Sequence, residues 1–336
     1  MIIPPGNPRL TADDVQADYD SLEQAALWFS SLHVAQVSED QRSAWQAWLD
    51  ERPQNRRAWS HVEAVSQRFA LLRADGERNA AAVAIGISAR HAGKRRVVLR
   101  SLAALAGSGL TAWLGWRFTP VANTVLAWRS DQHTAVGEVR DLYLNDGTHV
   151  WLNTNSAIDI AFDNSRRLLK LQMGEVLIDT AKDAAGRPFF VETDYGSLQA
   201  LGTQFAVRQM QDSTCLAVFE GRVEIRNLAG QSIVVPAGQQ RQFSGNSISA
   251  ATSADAARQA WPRGVILAED VPLGELIGTL AQYQRGHIGV SPEIAGLRVS
   301  GRYPAHDLAK AVGMLERDLP IQVSRPLPWW VSISKK

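Results

Sequence analysis

The sequence predicts a multi-domain chain: a small all-α bundle at the N-terminus, one membrane-crossing helix, an all-β region and a C-terminal α+β module. Three observations carry this. An uninterrupted apolar run, Ser101 to Trp116, lies between Arg100 and Arg117 near the end of the first third of the 336 residues. Before it, apolar residues recur at helical spacing; after Pro120 they alternate with a period of two. From Leu273 onward, helical faces and short strands take turns.

Composition sets the outer limits. With 45% hydrophobic and 21% charged residues, the chain can bury sizeable cores. A net charge of +1 argues against a nucleic-acid coat or a polybasic surface binder. Cys215 is the only cysteine, which excludes a disulfide framework and a Cys-based metal site. Met1 to Leu10 is Pro-rich and lacks the basic and apolar regions of a signal peptide.

The first 80 residues read as a helical domain. Leu22, Ala25, Ala26, Phe29 and Leu32 follow the spacing of one apolar helix face. Ser21 with Gln24, and Ser38 with Gln41, have the capping-box pattern of two helix starts. Trp45, Trp48 and Leu49 line a second helix that stops near Pro53, and Ala58, Val62, Val65, Phe69 and Leu72 line a third. Four tryptophans (Trp28, Trp45, Trp48, Trp59) are heavy usage for so small a bundle. They can form its core, or part of this aromatic surface, with Phe29 and Leu49, can anchor a cytoplasmic protein. Residues 81–96 complete an Ala/Gly-rich tether that begins near Ala74.

Residues 97–117 are read as the span. About 20 mainly apolar residues cross the hydrocarbon core, and Arg100 near the helix end can reach the headgroups. Trp113 and Trp116 cluster at the far end, where amphipathic rings favour the interface. Lys94, Arg95, Arg96 and Arg100 precede the span and only Arg117 follows it. The positive-inside rule therefore places the N-terminal helices in the cytoplasm and the remainder outside it. The pair Arg95-Arg96 also has the look of a twin-arginine export signal, which leaves the export route open.

Residues 118–250 read as β-rich. Leu142 and Leu144 alternate with polar residues, Asn145-Asp146-Gly147 turns the chain, and Val150 and Leu152 resume the pattern. Similar short runs separated by turn residues continue to Val235, which indicates a sandwich, a roll or a solenoid-like stack. In residues 251–336, Leu273, Leu276, Ile277 and Leu280 give a helix face and His287 to Val290 a strand. Val299 to Gly301 gives another strand, and Leu308, Ala309, Val312 and Leu315 a second helix face; Ile321 with Val323 and Val331 with Ile333 close in strands. Two β-α-β units make an α+β domain.

Chemistry is sparse. The seven histidines are scattered without metal-ligand spacing, and no P-loop or nucleophile elbow is present, so neither a cofactor, a metal nor a conventional enzyme is expected. One bond stands apart. Gly202-Thr203 sits between strand-like runs, and a threonine hydroxyl can attack the preceding carbonyl in an N-to-O acyl shift when a turn strains the peptide. A glycine bulge before a strand explains the same dipeptide structurally.

Together these residues resemble the FecR-type transmembrane sigma-factor regulators, which pair with TonB-dependent outer-membrane transducers. Ala25-Ala26-Leu27-Trp28-Phe29, Trp45-Gln46-Ala47-Trp48-Leu49 and Arg57-Ala58-Trp59 look like that family's cytoplasmic anti-sigma helices. Leu144-Asn145-Asp146-Gly147-Thr148, Gly174-Glu175-Val176, Arg187-Pro188-Phe189-Phe190-Val191, Leu201 to Val207 and Glu220-Gly221-Arg222-Val223 follow the order of its β domain. Leu273 to Ile333 is similar to the short secretin/TonB N-terminal module.

The resemblance implies an inner-membrane protein with a cytoplasmic N-terminus and a periplasmic C-terminus. It would relay a signal from a transducer's periplasmic domain to an extracytoplasmic-function sigma factor, usually for iron or siderophore uptake. Trp28, Phe29, Trp45, Trp48 and Leu49 are then candidates for sigma binding, and Leu273, Leu276, Ile277, Val299, Leu308 and Val323 for transducer binding. The family's stepwise proteolysis implies envelope proteases as partners, and some members cut themselves at the bond equivalent to Gly202–Thr203. Without the resemblance, the layout equally suits a single-span envelope binding or scaffold protein.

Overall fold

The computed structural model describes residues 12–33, 37–84 and 130–336. The expected span, 97–117, lies outside them, as does the tether from residue 85. Among the described residues no helix is long and apolar enough to cross a membrane.

Three helices open the chain: α1 (Ala12–Leu32), α2 (Glu39–Glu51) and α3 (Pro53–Ala84). The Ser38 pattern starts α2 as expected. Its hydroxyl accepts from the Gln41 amide at 3.2 Å, while the Ser38 amide donates to Gln41 Oε1 at 3.0 Å. Ser21 differs, because α1 already runs through it. Its hydroxyl instead donates to Oδ1 of the fully buried Asn55 at 3.0 Å, and Asn55 Nδ2 donates to the Trp48 carbonyl at 2.7 Å. One amide thus joins all three helices. Arg52 is extended (φ −146°, ψ 143°), as the residue before a proline tends to be, and Pro53 then starts α3 at a position that needs no amide hydrogen. The Ala-rich residues 74–84 continue α3 rather than forming a tether, in keeping with alanine's helix propensity.

Ala25, Ala26 and Phe29 of α1 bury against Ala58 and Val62 of α3. α2, by contrast, buries no residue completely.

Among its described residues the β region has fourteen strands: β1 (Gln132–His133), β2 (Arg140–Tyr143), β3 (His149–Leu152), β4 (Ala157–Phe162), β5 (Arg167–Met173), β6 (Glu175–Asp179) and β7 (Phe189–Thr193) come first. Then follow β8 (Gly196–Ala200), β9 (Gln204–Gln209), β10 (Thr214–Glu220), β11 (Arg222–Asn227), β12 (Ser232–Pro236), β13 (Gln239–Phe243) and β14 (Thr252–Ser253). They form two seven-stranded sheets, in the orders β1-β4-β5-β7-β8-β11-β12 and β14-β13-β10-β9-β6-β3-β2. Every pair is antiparallel except β5 with β7. The Asn145-Asp146-Gly147 turn joins β2 to β3 as the alternation predicts.

One core fills the space between the sheets. Leu169, Phe189, Leu198 and Ile225 from the first sheet meet Leu152, Ile178, Phe205 and Leu216 from the second. Alternating residues of both inner faces supply it, so the architecture is a sandwich.

The remaining elements are β15 (Val265–Pro272), α4 (Leu273–Gln282), β16 (His287–Val290), α5 (Pro292–Ala295), β17 (Arg298–Pro304), α6 (Leu308–Asp318), β18 (Ile321–Leu327) and β19 (Trp330–Lys335). β15 pairs with β17, and β16-β19-β18 make a three-stranded sheet. Leu273, Leu276, Ile277 and Leu280 are buried as their spacing predicts. On α6 the buried set is Ala311, Val312 and Leu315, while Ala309 is exposed.

This second core continues onto the outer face of the sandwich through Leu177 and Ala206. Four of the five β6 residues are buried, the pattern of a strand covered on both faces. A polar clamp reinforces the contact. Arg258 Nη1 meets Glu175 Oε1 at 2.9 Å, and Asn153 Nδ2 donates to Glu175 Oε2 at 3.1 Å. The Tyr283 hydroxyl donates to Asn153 Oδ1 at 2.7 Å. Burial first, with Glu175 adding to it, pushes the Tyr283 phenol up despite the Asn153 hydrogen bond.

Two compact units result. One contains the helices; the other contains the sandwich and nearly all of the α+β module.

Candidate functional site

Between β8 and β9 the chain passes from one sheet to the other in three residues, Leu201, Gly202 and Thr203. Gly202 has φ +72°, in the left-handed region that disfavours residues with a Cβ. Leu201 and Gly202 are exposed, but Thr203 is 3% exposed. The Thr203 hydroxyl is buried without a hydrogen-bond partner. An unsatisfied buried hydroxyl costs about 1–3 kcal/mol, so a group left in that state calls for a reason.

The peptide around it is tightly held. The Thr203 amide donates to Thr180 Oγ1 at 2.8 Å. The Thr203 carbonyl accepts from the Thr180 amide at 3.0 Å and from Thr180 Oγ1 at 3.1 Å. From the other side Gly221 approaches so closely that a Cβ there would lie 2.3 Å from the Gly202 carbonyl oxygen and 2.8 Å from Thr203 Cγ2. That proximity accounts for glycine in the Glu220-Gly221-Arg222 motif.

A cleft of about 460 Å³ opens beside the turn, lined by Thr180, Lys182, Arg187, Leu201 and Gly202 among others. Its wall is fixed by Arg187, which donates to Asp183 at 2.7 Å and, foremost through that hydrogen bond, holds the Asp183 carboxyl well below the usual carboxylate range. A buried hydroxyl without a partner, an adjacent carbonyl in a positive-φ turn and an open cleft suit intramolecular acyl transfer followed by hydrolysis.

The other predicted residues fall into two groups. Phe29 is buried among the helices, with its ring 3.9 Å from that of His33. Trp28, Trp45, Trp48 and Leu49 are half-buried, and the indole nitrogens of Trp28 and Trp45 have no hydrogen-bond partner. Leu27, which the periodicity did not single out, is 45% exposed. In the C-terminal module Leu273, Leu276, Ile277 and Val299 are interior, while Leu308 and Val323 are half-buried at the edge of the same core. Among the described residues no group of three or more His, Cys, Asp or Glu side chains could hold a metal ion.

Sequence reasoning passed over Thr180 and Asn55. Neither has a local signature, since their partners lie 23 and 34 residues away.

Residues 130–224 match the model of the FecR protein family, and residues 23–65 match a domain of unknown function, DUF4880. No curated protein matches the chain. A crystal structure at 1.65 Å of a candidate anti-sigma factor from Parabacteroides distasonis ATCC 8503 is 21% identical, with a TM-score of 0.51. The match covers 61% of this chain and 98% of that one. A second crystal structure of a protein so described from the same organism, at 2.50 Å, matches with the same identity and coverage and a TM-score of 0.49. The first likeness shows a shared fold.

Proposed function

Given that the chain carries a FecR domain over residues 130–224, we propose that it is a single-pass inner-membrane anti-sigma factor. In this reading the helices are cytoplasmic and the sandwich with its α+β module is periplasmic. The protein relays a signal from a TonB-dependent outer-membrane receptor to an extracytoplasmic-function sigma factor that controls iron-uptake genes.

The observation that carries the reading is the pairing of two matches in one chain. DUF4880 ends at residue 65 and FecR begins at residue 130, on either side of the apolar run Ser101 to Trp116. The described helices suit a sigma factor as partner: α2 presents Trp45, Trp48 and Leu49 without burying any of them fully. Half-buried tryptophans with apolar neighbours make strong interface anchors. For the periplasmic partner, the half-buried Leu308 and Val323 are more accessible than the interior Leu273, Leu276, Ile277 and Val299.

The test uses the full chain in detergent with the purified sigma factor. Trp48→Ala is expected to weaken binding at least ~5-fold, about 1 kcal/mol, with helical circular dichroism retained. No binding by the wild-type chain, or unchanged binding by the variant, would count against the reading.

A second activity is favoured by a separate observation, the unpartnered Thr203 hydroxyl. We propose that the chain cuts itself at Gly202–Thr203 by an N-to-O acyl shift. Thr203 Oγ1 bonds to the Gly202 carbonyl carbon, the C–N bond breaks, and water hydrolyses the ester to a Gly202 carboxylate and a free Thr203. Such a cut would expose the β9 end of the sandwich to the envelope proteases that complete signalling. Mass spectrometry of the purified chain should find fragments 1–202 and 203–336 from the wild type and Thr203→Ser, and only intact Thr203→Ala. Equal fragmentation of all three would rule the mechanism out.

A further inference from the structure

We infer that Thr180 is a catalytic residue of this cleavage, its hydroxyl donating the proton that the departing Thr203 nitrogen takes up. The inference rests on the self-cleavage proposed for Gly202–Thr203.

The register explains how Thr180 comes to be there. β6 and β9 pair antiparallel, with Asp179 opposite Gln204. One step further along the ladder Thr180 lies opposite Thr203, and the Thr180 amide donates to the Thr203 carbonyl at 3.0 Å. The return hydrogen bond departs from an ordinary ladder. The Thr203 amide does not meet a backbone carbonyl; it meets Thr180 Oγ1 at 2.8 Å. That nitrogen belongs to the scissile bond.

The substitution of a hydroxyl for a carbonyl has a chemical consequence. A carbonyl oxygen only accepts, whereas a hydroxyl accepts and donates. Before reaction the Thr203 nitrogen is an amide and needs an acceptor, which Thr180 Oγ1 supplies. When Thr203 Oγ1 adds to the Gly202 carbon, the nitrogen loses its amide conjugation and becomes basic. It then needs a proton before the C–N bond can break. Thr180 Oγ1, already within hydrogen-bond distance, turns its hydrogen from the Thr203 carbonyl to the nitrogen.

The balance closes with solvent water. The Thr203 hydroxyl proton moves to the Gly202 oxygen as the new C–O bond forms, and passes to solvent at the exposed Gly202 when the C–N bond breaks and the carbonyl re-forms. Thr180 Oγ1 passes its own proton to the nitrogen and regains one from water in the cleft that Thr180 lines. The products are the ester between Gly202 and the Thr203 side chain, a free amine on Thr203 and an unchanged Thr180.

Thr180 is half-buried, so Thr180→Val keeps its shape while removing the hydroxyl, both as acceptor for the Thr203 amide and as proton donor. In the full detergent-solubilised chain, Thr180→Val is expected to slow first-order appearance of fragments 1–202 and 203–336 by at least ~100-fold, the usual range for a lost general acid. Thr180→Ser, which keeps the hydroxyl, should stay within a few-fold of wild type, and a role in shape alone would not make serine and valine differ in that direction. Thermal unfolding of each variant checks that the sandwich is intact. Hydroxylamine, which cleaves esters, should leave Thr180→Val slow, because the block precedes the ester.

Wild-type cleavage with unimpaired Thr180→Val, or restoration of that variant by hydroxylamine, would overturn the role of Thr180 alone. A wild-type chain that stays whole alongside Thr203→Ala would overturn the cleavage itself, and the role of Thr180 with it.

Discussion

Arg167→Met is expected to destabilise the sandwich by about 3–5 kcal/mol, the cost of stranding one member of a buried ion pair. Arg167 Nη1 lies 2.7 Å from Asp146 Oδ2, and the two side chains are 8% and 1% exposed. The guanidinium also donates to the Ala181 and Arg187 carbonyls, at 3.1 and 3.0 Å, and sits 5.3 Å from the Phe189 ring centre. Methionine keeps the apolar stem over the ring but returns none of these hydrogen bonds. Urea unfolding at pH 7 measures the loss; a change below about 1 kcal/mol would mean that Thr148 alone satisfies Asp146.

The same pair predicts a pH dependence. Burial raises the Asp146 pKa, but hydrogen bonds from Thr148 and Arg167 outweigh it and hold the carboxyl below its ordinary value. A carboxylate depressed in the folded state contributes stability that is present above its unfolded pKa, about 3.9, and is lost as pH falls through the folded value. Without Arg167, burial acts with less opposition and the folded pKa rises. The deficit of Arg167→Met relative to wild type should therefore shrink as pH falls below about 4. A constant deficit would place the energy in the carbonyl contacts instead.

Glu175→Ala is expected to cost about 3 kcal/mol or more and to loosen the α+β module before the sandwich. The substitution leaves Arg258 buried without its carboxylate and Asn153 Nδ2 without its acceptor. Hydrogen exchange should report it as lost protection in α4, whose last turn is tied to the sandwich by Gln282 and Tyr283. Protection lost uniformly across both sheets would show instead that Glu175 acts chiefly within β6. The position matters because β6 carries Glu175 at one end and leads directly into Thr180 at the other. Gln259 adds a second link, donating to Gln204, the residue after Thr203, at 2.7 Å. The module and the Leu201–Thr203 turn are thus joined through one strand and its neighbour.

How much of this was legible varies with the distance between partners. The Ser38 capping box, the Asp146-Gly147 hairpin, β16 and the apolar face of α4 were readable because each is set by residues within a few positions. Ser21 has the same spacing as Ser38 and was misread, since the pattern cannot tell whether a helix already runs upstream. The parallel pairing of β5 with β7 was beyond reach: each strand's alternation marks its inner face, not its neighbour. β6 offered a partial clue. Its nearly continuous apolar run, Val176 to Ile178, signals burial on both faces, though not that the C-terminal module provides the second cover.

By itself the sequence marked a helical region followed by a run of short alternating strands and then by mixed helices and strands, and it singled out Gly202-Thr203 as the one bond that stands apart. These follow from composition, period and neighbouring residue types, which local physical chemistry governs. Only the tertiary structure decided that the Thr203 hydroxyl is left without a partner, that Thr180 holds the Thr203 amide, and that Asn55 and Glu175 are the polar hubs of their units. Those are contacts between residues far apart in the chain, and burial and hydrogen-bond satisfaction exist only once the pieces have come together.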